Sequence, residues 1–361
     1  MGEPDNLECT VCPGSNEKTK SCWGKASLKV NILVTTAPFG EVDRTPIELL
    51  EGLNCVVEHN PFGRRLTEAE LVALVPECDV IIAGTEPITQ KVFANAPNLK
   101  LISRVGIGVD SVDLQESRRR QVKVSYTPDA PSPAVAELTL GLMLSMLRRI
   151  TMSNNGLRDG QWHRHFGRRL SESVVGIIGF GRIGKRVAKL LGSFECRKIL
   201  INDVNPLDLT DAAPNCHSAN KEEIYRQADI ISVHVPLTIS TKGMVGAEQI
   251  KLMKPDALLV NTARGGVIDE QALFAALTDG VLSGAAIDVF ESEPYVGPLR
   301  ELEHCLLTAH MGSMTRDCRA RMEIEATQEV VRFVQGKPLE STVPTSEYEI
   351  QAGESELGER R

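Results

Sequence analysis

Three side chains of different chemical type each follow a short apolar run in the second half of the chain. Arg264 stands in "LLVNTARGGVID", Glu293 in "AAIDVFESEP" and His310 in "LLTAHMGS". Singly, each has a structural explanation, because an arginine can bridge loops, a glutamate before proline can cap a turn and a histidine can be a hydrogen-bonded core residue. Together they offer a proton donor, a carboxylate that orients the imidazole and favours its charged form, and a positive charge that does not titrate away.

A glycine-rich turn precedes this set in "VVGIIGFGRIG", where Gly179, Gly181 and Gly184 lie between a strand-like and a helix-like apolar run. The first glycine permits a tight turn, the second lets the backbone approach a pyrophosphate, and the third allows close packing of a helix whose N-terminus faces the phosphates. Asp203 ends the next apolar run about 20 residues later, where a carboxylate accepts hydrogen bonds from ribose hydroxyls and repels a 2′-phosphate. The pattern predicts a site for NAD rather than NADP.

The elements that must position these residues alternate between strand-like and helix-like stretches. Runs without polar alternation are typical of strands that helices cover on both faces of a parallel sheet. Such runs are "LKVNILVTT", "CDVIIAGT" and "LKLISRVG" in the first half, and "VVGIIGFG", "KILINDV", "IISVHVP", "ALLVNTA", "GAAIDVF" and "CLLTAH" in the second. We therefore predict an α/β protein with two Rossmann-like, doubly wound parallel-sheet domains and a catalytic cleft between them. A long helix is predicted from about 130 to 150.

Length and charge narrow the classes of function. A chain of 361 residues exceeds one ordinary core, and its formal net charge of −8 disfavours nucleic acid or an anionic membrane as a partner. No apolar stretch reaches the roughly 18 residues of a membrane helix, and the polar start lacks a signal-peptide core. A small-molecule substrate and a cytoplasmic location are the expectations.

The nine cysteines are scattered and odd in number, which argues against a disulfide framework. Cys9, Cys12 and Cys22 contain a CxxC step, but three thiolates are an incomplete zinc-ligand set. No metal site is predicted, and residues 1–28 are expected to be a disordered leader.

Five motifs stand in an order and spacing that resemble the D-isomer-specific 2-hydroxyacid dehydrogenases, the family that includes D-3-phosphoglycerate dehydrogenase. They are "VGIIGFGRIG", "HVPLT", "NTARGGVIDEQAL", "GAAIDVFESEP" and "TAHMGS", and the resemblance covers residues 30–340. It implies reversible hydride transfer between NAD(H) and a 2-hydroxy or 2-oxo acid. It also implies that Arg264, Glu293 and His310 form the catalytic trio, with His310 as the acid/base and Arg264 as a substrate contact.

The resemblance implies further contacts. The backbone N–H groups of Val105 and Gly106 are expected to receive the substrate carboxylate. The cofactor contacts, beyond the three glycines, are expected at the pyrophosphate from Arg182 and Ile183, at the ribose from Asp203, at the adenosine from Val235 and Pro236, and at the nicotinamide from Thr262 and Asp288.

The family architecture implies a discontinuous substrate-binding domain over 29–126 and 313–340, with an NAD-binding Rossmann domain over 127–312 between its parts. Residues 341–361 are polar and acidic, and we expect them to form a flexible tail. The family is usually dimeric through its cofactor domain, where the long helix after residue 130 would lie. A homodimer is therefore expected.

The identity of the acid is left open between 3-phosphoglycerate or phosphohydroxypyruvate and glyoxylate or hydroxypyruvate. Phosphoglycerate enzymes of this family usually carry an arginine after the strand that reads "VIIAG" here, whereas this chain has "AGTEPIT" with Glu86. A carboxylate would repel a phosphate unless Arg64, Arg65 or Arg104 compensates, and the first two are expected to be solvated surface residues. The alternative function is that of an NAD-sensing, corepressor-like binding protein, since corepressors of the same fold use NAD to control assembly.

Overall fold

The computed structural model describes residues 29–210 and 212–358. A first sheet contains β1 (Val30–Val34), β2 (Cys55–His59), β3 (Val80–Ala83), β4 (Leu101–Arg104) and β5 (Lys123–Ser125). These strands are parallel to their neighbours and lie in the order β2-β1-β3-β4-β5. This is one of the two common strand orders of doubly wound folds.

A second sheet is larger and follows the other common order. It contains β6 (Val174–Ile178), β7 (Lys198–Asn202), β8 (Cys216–Ser218), β9 (Ile230–Val233), β10 (Leu258–Asn261), β11 (Gly284–Ile287) and β12 (Cys305–Leu307). The described strands are again parallel, in the order β12-β11-β10-β9-β6-β7-β8. The direction of strand progression reverses between β6 and β9, and it reverses in the first sheet between β1 and β3. Ligands of such sheets bind at these switch points, beyond the carboxyl ends of the strands.

Helices connect the strands. In the first part of the chain they are α1 (Thr45–Glu51), α2 (Glu68–Leu74), α3 (Gln90–Asn95), α4 (Leu114–Arg119), α5 (Ser132–Arg148) and α6 (Ile150–Arg158). In the second part they are α7 (Arg182–Gly192), α8 (Lys221–Gln227), α9 (Ala247–Lys251), α10 (Glu270–Thr278), α11 (Arg316–Val334) and α12 (Thr345–Gly358). Short 3-10 turns lie at Leu170–Glu172 and Pro298–Glu301.

The predicted fold class and all nine predicted strands are confirmed. The strands β3, β4, β6, β9, β10 and β11 are buried along their whole length. Apolar clusters cover both faces of each sheet. The continuous apolar runs therefore reflect strands that are sandwiched between helices.

Two long helices are attached to different sheets. The predicted helix after residue 130 is α5, which ends where Arg149 adopts φ 50°, and it packs on α7, β10 and β11. The helix α11 instead returns to the first sheet and packs on α1, β3 and β4. The helix α11 thus completes the layer that covers the N-terminal sheet.

The expectation of a flexible tail over 341–361 is wrong for residues 341–353. Thr342 forms an antiparallel bridge with Ser125, and Val343 is buried. In α12, Gln351 accepts a hydrogen bond from Leu114 N at 2.6 Å, and the ring of Tyr348 lies under the Arg118 guanidinium. This segment lies at the edge of the first domain and is held there in part by hydrogen bonds, which is why it can be polar in composition.

The predicted leader over residues 1–28 lies outside the described residues, as do Cys9, Cys12 and Cys22. Within the part of the chain that the structure describes, no helix is both long and apolar enough to cross a membrane.

Candidate active site

A cavity of about 240 Å³ lies between the two sheets and is lined by loops from both. The first sheet contributes residues that follow β1, β3 and β4, and the second contributes residues that follow β10, β11 and β12. All of these loops leave the carboxyl ends of their strands. Arg264, Glu293 and His310 line this one cavity, although they are separated along the chain.

His310 is paired with Glu293. The Nδ1 of the imidazole lies 2.9 Å from Oε2 and 3.1 Å from Oε1 of the carboxylate. Burial acts to raise the pKa of Glu293, but the hydrogen bond and charge of His310, the Phe290 amide and the charge of Arg65 outweigh it, so this pKa lies below its usual value. An ionised Glu293 that accepts from Nδ1 leaves Nε2 as the ring nitrogen available to a substrate.

Asp288 holds the loop that carries His310. Its Oδ1 accepts from Thr308 Oγ1 at 2.6 Å and from Met311 N at 2.9 Å, and its Oδ2 accepts from Gly312 N at 2.9 Å. The backbone of His310, which has φ 49°, donates to Asp288 O at 2.8 Å. A left-handed conformation at a non-glycine residue needs such support. Asp288 lines the cavity as predicted, but its carboxylate is engaged in holding this loop rather than free for a nicotinamide.

Arg264 is oriented by a residue that the sequence did not single out. Its Nε donates to Asp110 Oδ1 at 2.9 Å, and its Nη1 donates to Ala263 O at 2.7 Å. The backbone of Gly108 lies against the guanidinium so closely that a Cβ there would overlap it. Burial acts to raise the pKa of Asp110, but the charge of Arg264 outweighs it and the pKa of Asp110 is lowered.

The predicted use of the Val105 and Gly106 amides is wrong. Val105 N donates to Ala83 O at 2.9 Å, and Gly106 N donates to Thr127 Oγ1 at 2.8 Å, because both residues continue the pairing of β4. Ile107 N and Gly108 N make no hydrogen bond within the described residues, and both residues line the cavity beside Arg264. These two amides are therefore the donors available to an anion at this loop.

The glycine turn between β6 and α7 has room for a phosphate group. Gly179 has φ 98°, and a Cβ there would overlap His234 O, whereas a Cβ at Gly184 would overlap Gly179 O. A Cβ at Gly181 would meet nothing within 4 Å. The first and third glycines thus serve close packing, and the second leaves open space at the N-terminus of an eleven-residue helix. This arrangement fits a dinucleotide pyrophosphate.

The remaining predicted cofactor contacts are distributed around this turn. Asp203 follows β7, where its Oδ2 accepts from Phe180 N at 2.6 Å and its Oδ1 accepts from Asn205 N at 2.8 Å. Arg182 is the first residue of α7 and forms an ion pair with Asp129. Ile183 and Thr262 line the cavity with Arg264, Glu293 and His310, while Val235 and Pro236 follow β9, with Val235 beside Gly179.

A protein-family model and a known protein both match this chain. Residues 140–312 match the D-isomer specific 2-hydroxyacid dehydrogenase, NAD binding domain. The hydroxypyruvate reductase of Thermotoga maritima is 35% identical over 301 residues, which cover 81% of this chain and 95% of that protein. The chain belongs to the D-isomer specific 2-hydroxyacid dehydrogenase family.

Two further proteins are similar to this chain. The D-3-phosphoglycerate dehydrogenase of Methanocaldococcus jannaschii is 37% identical over 283 residues, which cover 77% of this chain and 54% of that protein. The structure of D-lactate dehydrogenase from Aquifex aeolicus, complexed with NAD and lactic acid, has a TM-score of 0.76 at 26% identity and covers 85% of this chain and 96% of that one.

Membership of the D-isomer specific 2-hydroxyacid dehydrogenase family makes this protein an NAD-dependent oxidoreductase that acts on a CH–OH group. The structure adds cavity-lining residues beyond the predicted site, namely Ile107, Gly108, Arg65, Arg104, Glu86 and Arg319. Arg65 is exposed at the cavity, as a surface residue would be, whereas Arg64 pairs with Glu70. Arg104 and Glu86 could have been noticed in the sequence, because charged residues are seldom buried unless they are paired and both stand next to apolar strand runs.

Proposed function

We propose that this chain interconverts a small 2-oxo acid and its 2-hydroxy acid, with His310, Glu293 and Arg264 as the catalytic residues. The observation that supports this is the convergence of the His310–Glu293 pair and Arg264 in one cavity beside the glycine turn. An imidazole, an orienting carboxylate and a guanidinium are the groups that carbonyl reduction requires. The cavity volume of about 240 Å³ suits a small acid.

In the reduction, Arg264 and the amides of Ile107 and Gly108 hold the substrate carboxylate. Bound NADH supplies the hydride for C2. His310 donates the proton from Nε2 to the oxygen on C2, where negative charge develops, and Glu293 holds the ring through Nδ1 and stabilises its protonated form. In the oxidation, Nε2 accepts the hydroxyl proton. Asp288 keeps the loop of His310 in place in both directions.

NAD is held, in this proposal, by the glycine turn and its neighbours. The N-terminus of α7 with Gly181, Arg182 and Ile183 takes the pyrophosphate, and Asp203 takes the adenosine ribose. Val235 and Pro236 lie along the adenosine, and Thr262 lies toward the nicotinamide.

We further propose that the chain is divided as the family architecture implies, with 29–126 and 313–340 binding substrate and 127–312 binding NAD. The packing of α11 on β3 and β4 supports this division. The packing of α12 on α4 extends the first domain beyond residue 340.

The protein is proposed to be a homodimer. The helix α5 is largely buried within its own chain, so it offers little surface to a partner. The segment that follows it carries exposed apolar side chains, at Ile150, Leu157, Trp162 and Phe166. A cluster of this kind is typical of an interface. A cytoplasmic location is supported by the six cysteines of the described residues, which are all free thiols.

The substitution His310→Ala tests the proposed function. It is expected to lower kcat with glyoxylate or hydroxypyruvate by about 10²- to 10⁴-fold, the usual contribution of a general acid. The affinity for NADH, measured by fluorescence titration, is expected to stay unchanged. His217→Ala is the matched control, because His217 is exposed on β8. Wild-type turnover in the His310→Ala variant would refute the assignment, and silence of the wild-type protein with a panel of 2-oxo acids despite NADH binding would favour the NAD-sensing alternative.

A further inference from the structure

The part of the cavity formed by the first sheet contains two charged groups that the proposed mechanism does not use. Arg104 is the last residue of β4, and Glu86 lies in the loop after β3. The two strands are neighbours, with Ala83 opposite Arg104. Both side chains line the cavity together with the hydroxyl-bearing Thr35, Thr36 and Thr85.

The Arg104 side chain is buried without a full set of acceptors. The residue is only 7% exposed, its Nη1 donates to Val105 O, and its Nε has no partner within the described residues. Burial lowers the pKa of Arg104 to about 10, so the group remains charged at neutral pH. A buried guanidinium with an unmatched donor is costly unless a ligand supplies an acceptor.

Glu86 is an acceptor at the same edge. The residue is 1% exposed, and its Oε1 accepts from Gly84 N at 2.9 Å and from Thr35 Oγ1. Its Oε2 makes no hydrogen bond within the described residues. No ion pair joins Glu86 to Arg104 in the described part of the chain. The two groups therefore offer an acceptor and a donor that do not satisfy each other.

The charges that line the cavity indicate how much negative charge a substrate can bring. Several of these groups are matched in the ion pairs His310–Glu293, Arg264–Asp110 and Arg319–Glu323. The charged groups outside these pairs are Arg65, Arg104, Glu86 and Asp288, and their charges sum to zero. A substrate with a single carboxylate adds one negative charge to this set, whereas a phosphate group would add further negative charge beside Glu86.

We propose that Glu86 and Arg104 form a specificity pair that binds a hydroxyl group on C3 of the substrate, so that the preferred substrates are monoanionic 3-hydroxy-2-oxo acids. A hydroxyl suits this position because it donates to Glu86 and accepts from Arg104 at the same time. This inference rests on the proposed function. If C3 is a methyl group, as in pyruvate, both charged groups are left without a partner.

Hydroxypyruvate and pyruvate measure this selectivity, because they differ only in the C3 hydroxyl. A site built to bind a hydroxyl discriminates strongly against an analogue that lacks it, and we expect kcat/KM for hydroxypyruvate to exceed that for pyruvate by about 10²-fold or more. Phosphohydroxypyruvate is expected to be a poorer substrate than hydroxypyruvate. Glyoxylate has no C3 and reports on the reaction alone.

The experiment compares these four acids in the wild-type protein and in Glu86→Gln and Arg104→Lys. Each variant is expected to lower the hydroxypyruvate-to-pyruvate ratio by about tenfold, the effect of one hydrogen bond to a charged group. Glu86→Gln is also expected to raise the relative use of phosphohydroxypyruvate, because it removes the repelling charge. The ratio for glyoxylate to pyruvate is expected to stay unchanged. Arg64→Ala is the matched control, because Arg64 is exposed and bound to Glu70 outside the cavity.

The outcomes separate the two proposals. Turnover of glyoxylate with equal use of hydroxypyruvate and pyruvate would overturn the specificity pair and leave the proposed function standing. A wild-type preference for phosphohydroxypyruvate would also overturn it. Absence of turnover with every acid would refute the proposed function itself. Because Glu86 and Arg104 are both buried, the Tm of each variant is compared with that of the wild type. The hydroxypyruvate-to-pyruvate ratio of the wild-type protein tests the selectivity without any substitution.

Discussion

The Nε of Arg264 donates to Asp110 Oδ1 across 2.9 Å, although 154 residues separate the two in the chain. Arg264 follows β10 of the second sheet, and Asp110 belongs to the loop after β4 of the first. This loop also carries the amides of Ile107 and Gly108. The ion pair thus joins the two sides of the cavity at the point where a substrate carboxylate would be held.

Substitution of Asp110 tests whether this pair orients the arginine. Asp110→Ala is expected to raise KM for the 2-oxo acid by about tenfold or more, since one hydrogen bond to a charged group is lost. The affinity for NADH is expected to be unchanged, and Asp110→Glu is expected to recover part of the loss. Asp256→Ala removes a surface partner of Arg168 and serves as the control. An unchanged KM in Asp110→Ala would show that Arg264 is held by its other contacts.

The role of Glu293 is expected to appear in the pH dependence of reduction. The lowered pKa of Glu293 keeps the carboxylate ionised throughout the neutral range, where it stabilises the protonated imidazole. In Glu293→Gln that charge is absent, so the fall of kcat with increasing pH is expected to begin at lower pH than in the wild-type protein. Rates are measured from pH 5 to 9 with saturating NADH. Superimposable profiles would contradict the assigned role.

Cofactor preference is expected to depend on Asp203. The substitution Asp203→Arg is expected to weaken NADH binding and to improve NADPH binding, because the carboxylate that accepts ribose hydrogen bonds is replaced by a cation that attracts a 2′-phosphate. Dissociation constants for both nucleotides are measured by fluorescence titration. Asp208→Ala alters an exposed carboxylate of the next loop and is the control. If the preference of Asp203→Arg equals that of the control, the ribose role is wrong.

Folding stability is expected to fall in mild acid because of His234. Burial lowers the pKa of His234 to about 4 in the folded protein, against about 6.5 when it is unfolded. The unfolded state therefore binds the proton more readily, so the stabilisation is present above pH 6.5 and is lost as pH falls toward 4. At pH 5 the free energy of unfolding is expected to be about 2 kcal/mol lower than at neutral pH. The reason is that pH 5 lies about 1.5 units below the pKa of the unfolded state, and each unit contributes about 1.4 kcal/mol.

Urea unfolding at pH 7.5 and pH 5 measures this loss. The variant His234→Asn is expected to lose less stability between the two pH values than the wild type. His217→Asn is the control, because His217 is exposed, and its pH dependence is expected to match that of the wild type. If the free energy of unfolding falls by the same amount between pH 7.5 and pH 5 in His234→Asn and in the wild type, His234 is not the source of the loss.

Strands buried on both faces were predictable, whereas three of the four edge strands of the two described sheets were not. The three strands without a sequence prediction, β2, β5 and β8, all lie at an edge in the described structure. An edge strand is covered on fewer sides, so β2 and β8 contain exposed residues and lack a continuous apolar run. The tail was misjudged for a related reason, because only Val343 and Tyr348 of its described residues pack on the apolar core, while Gln351 and Thr342 are held by hydrogen bonds.

Features that depend on residues close together in the chain could be predicted from local sequence patterns alone. The alternation of apolar strands and helices, the glycine turn and the aspartate after the next strand are local patterns, and they sufficed to predict the fold class and NAD as the cofactor.

Which groups face each other depends on the folded structure, because loops from two sheets meet at the cavity. Asp110 contacts Arg264, and Asp288 contacts the loop that carries His310. The backbone amides available to a ligand are those of Ile107 and Gly108 rather than those of Val105 and Gly106. Glu86 and Arg104 are buried at the same cavity, and no ion pair joins them in the described part of the chain. Such contacts arise from the packing of segments far apart in sequence, and no local pattern encodes them.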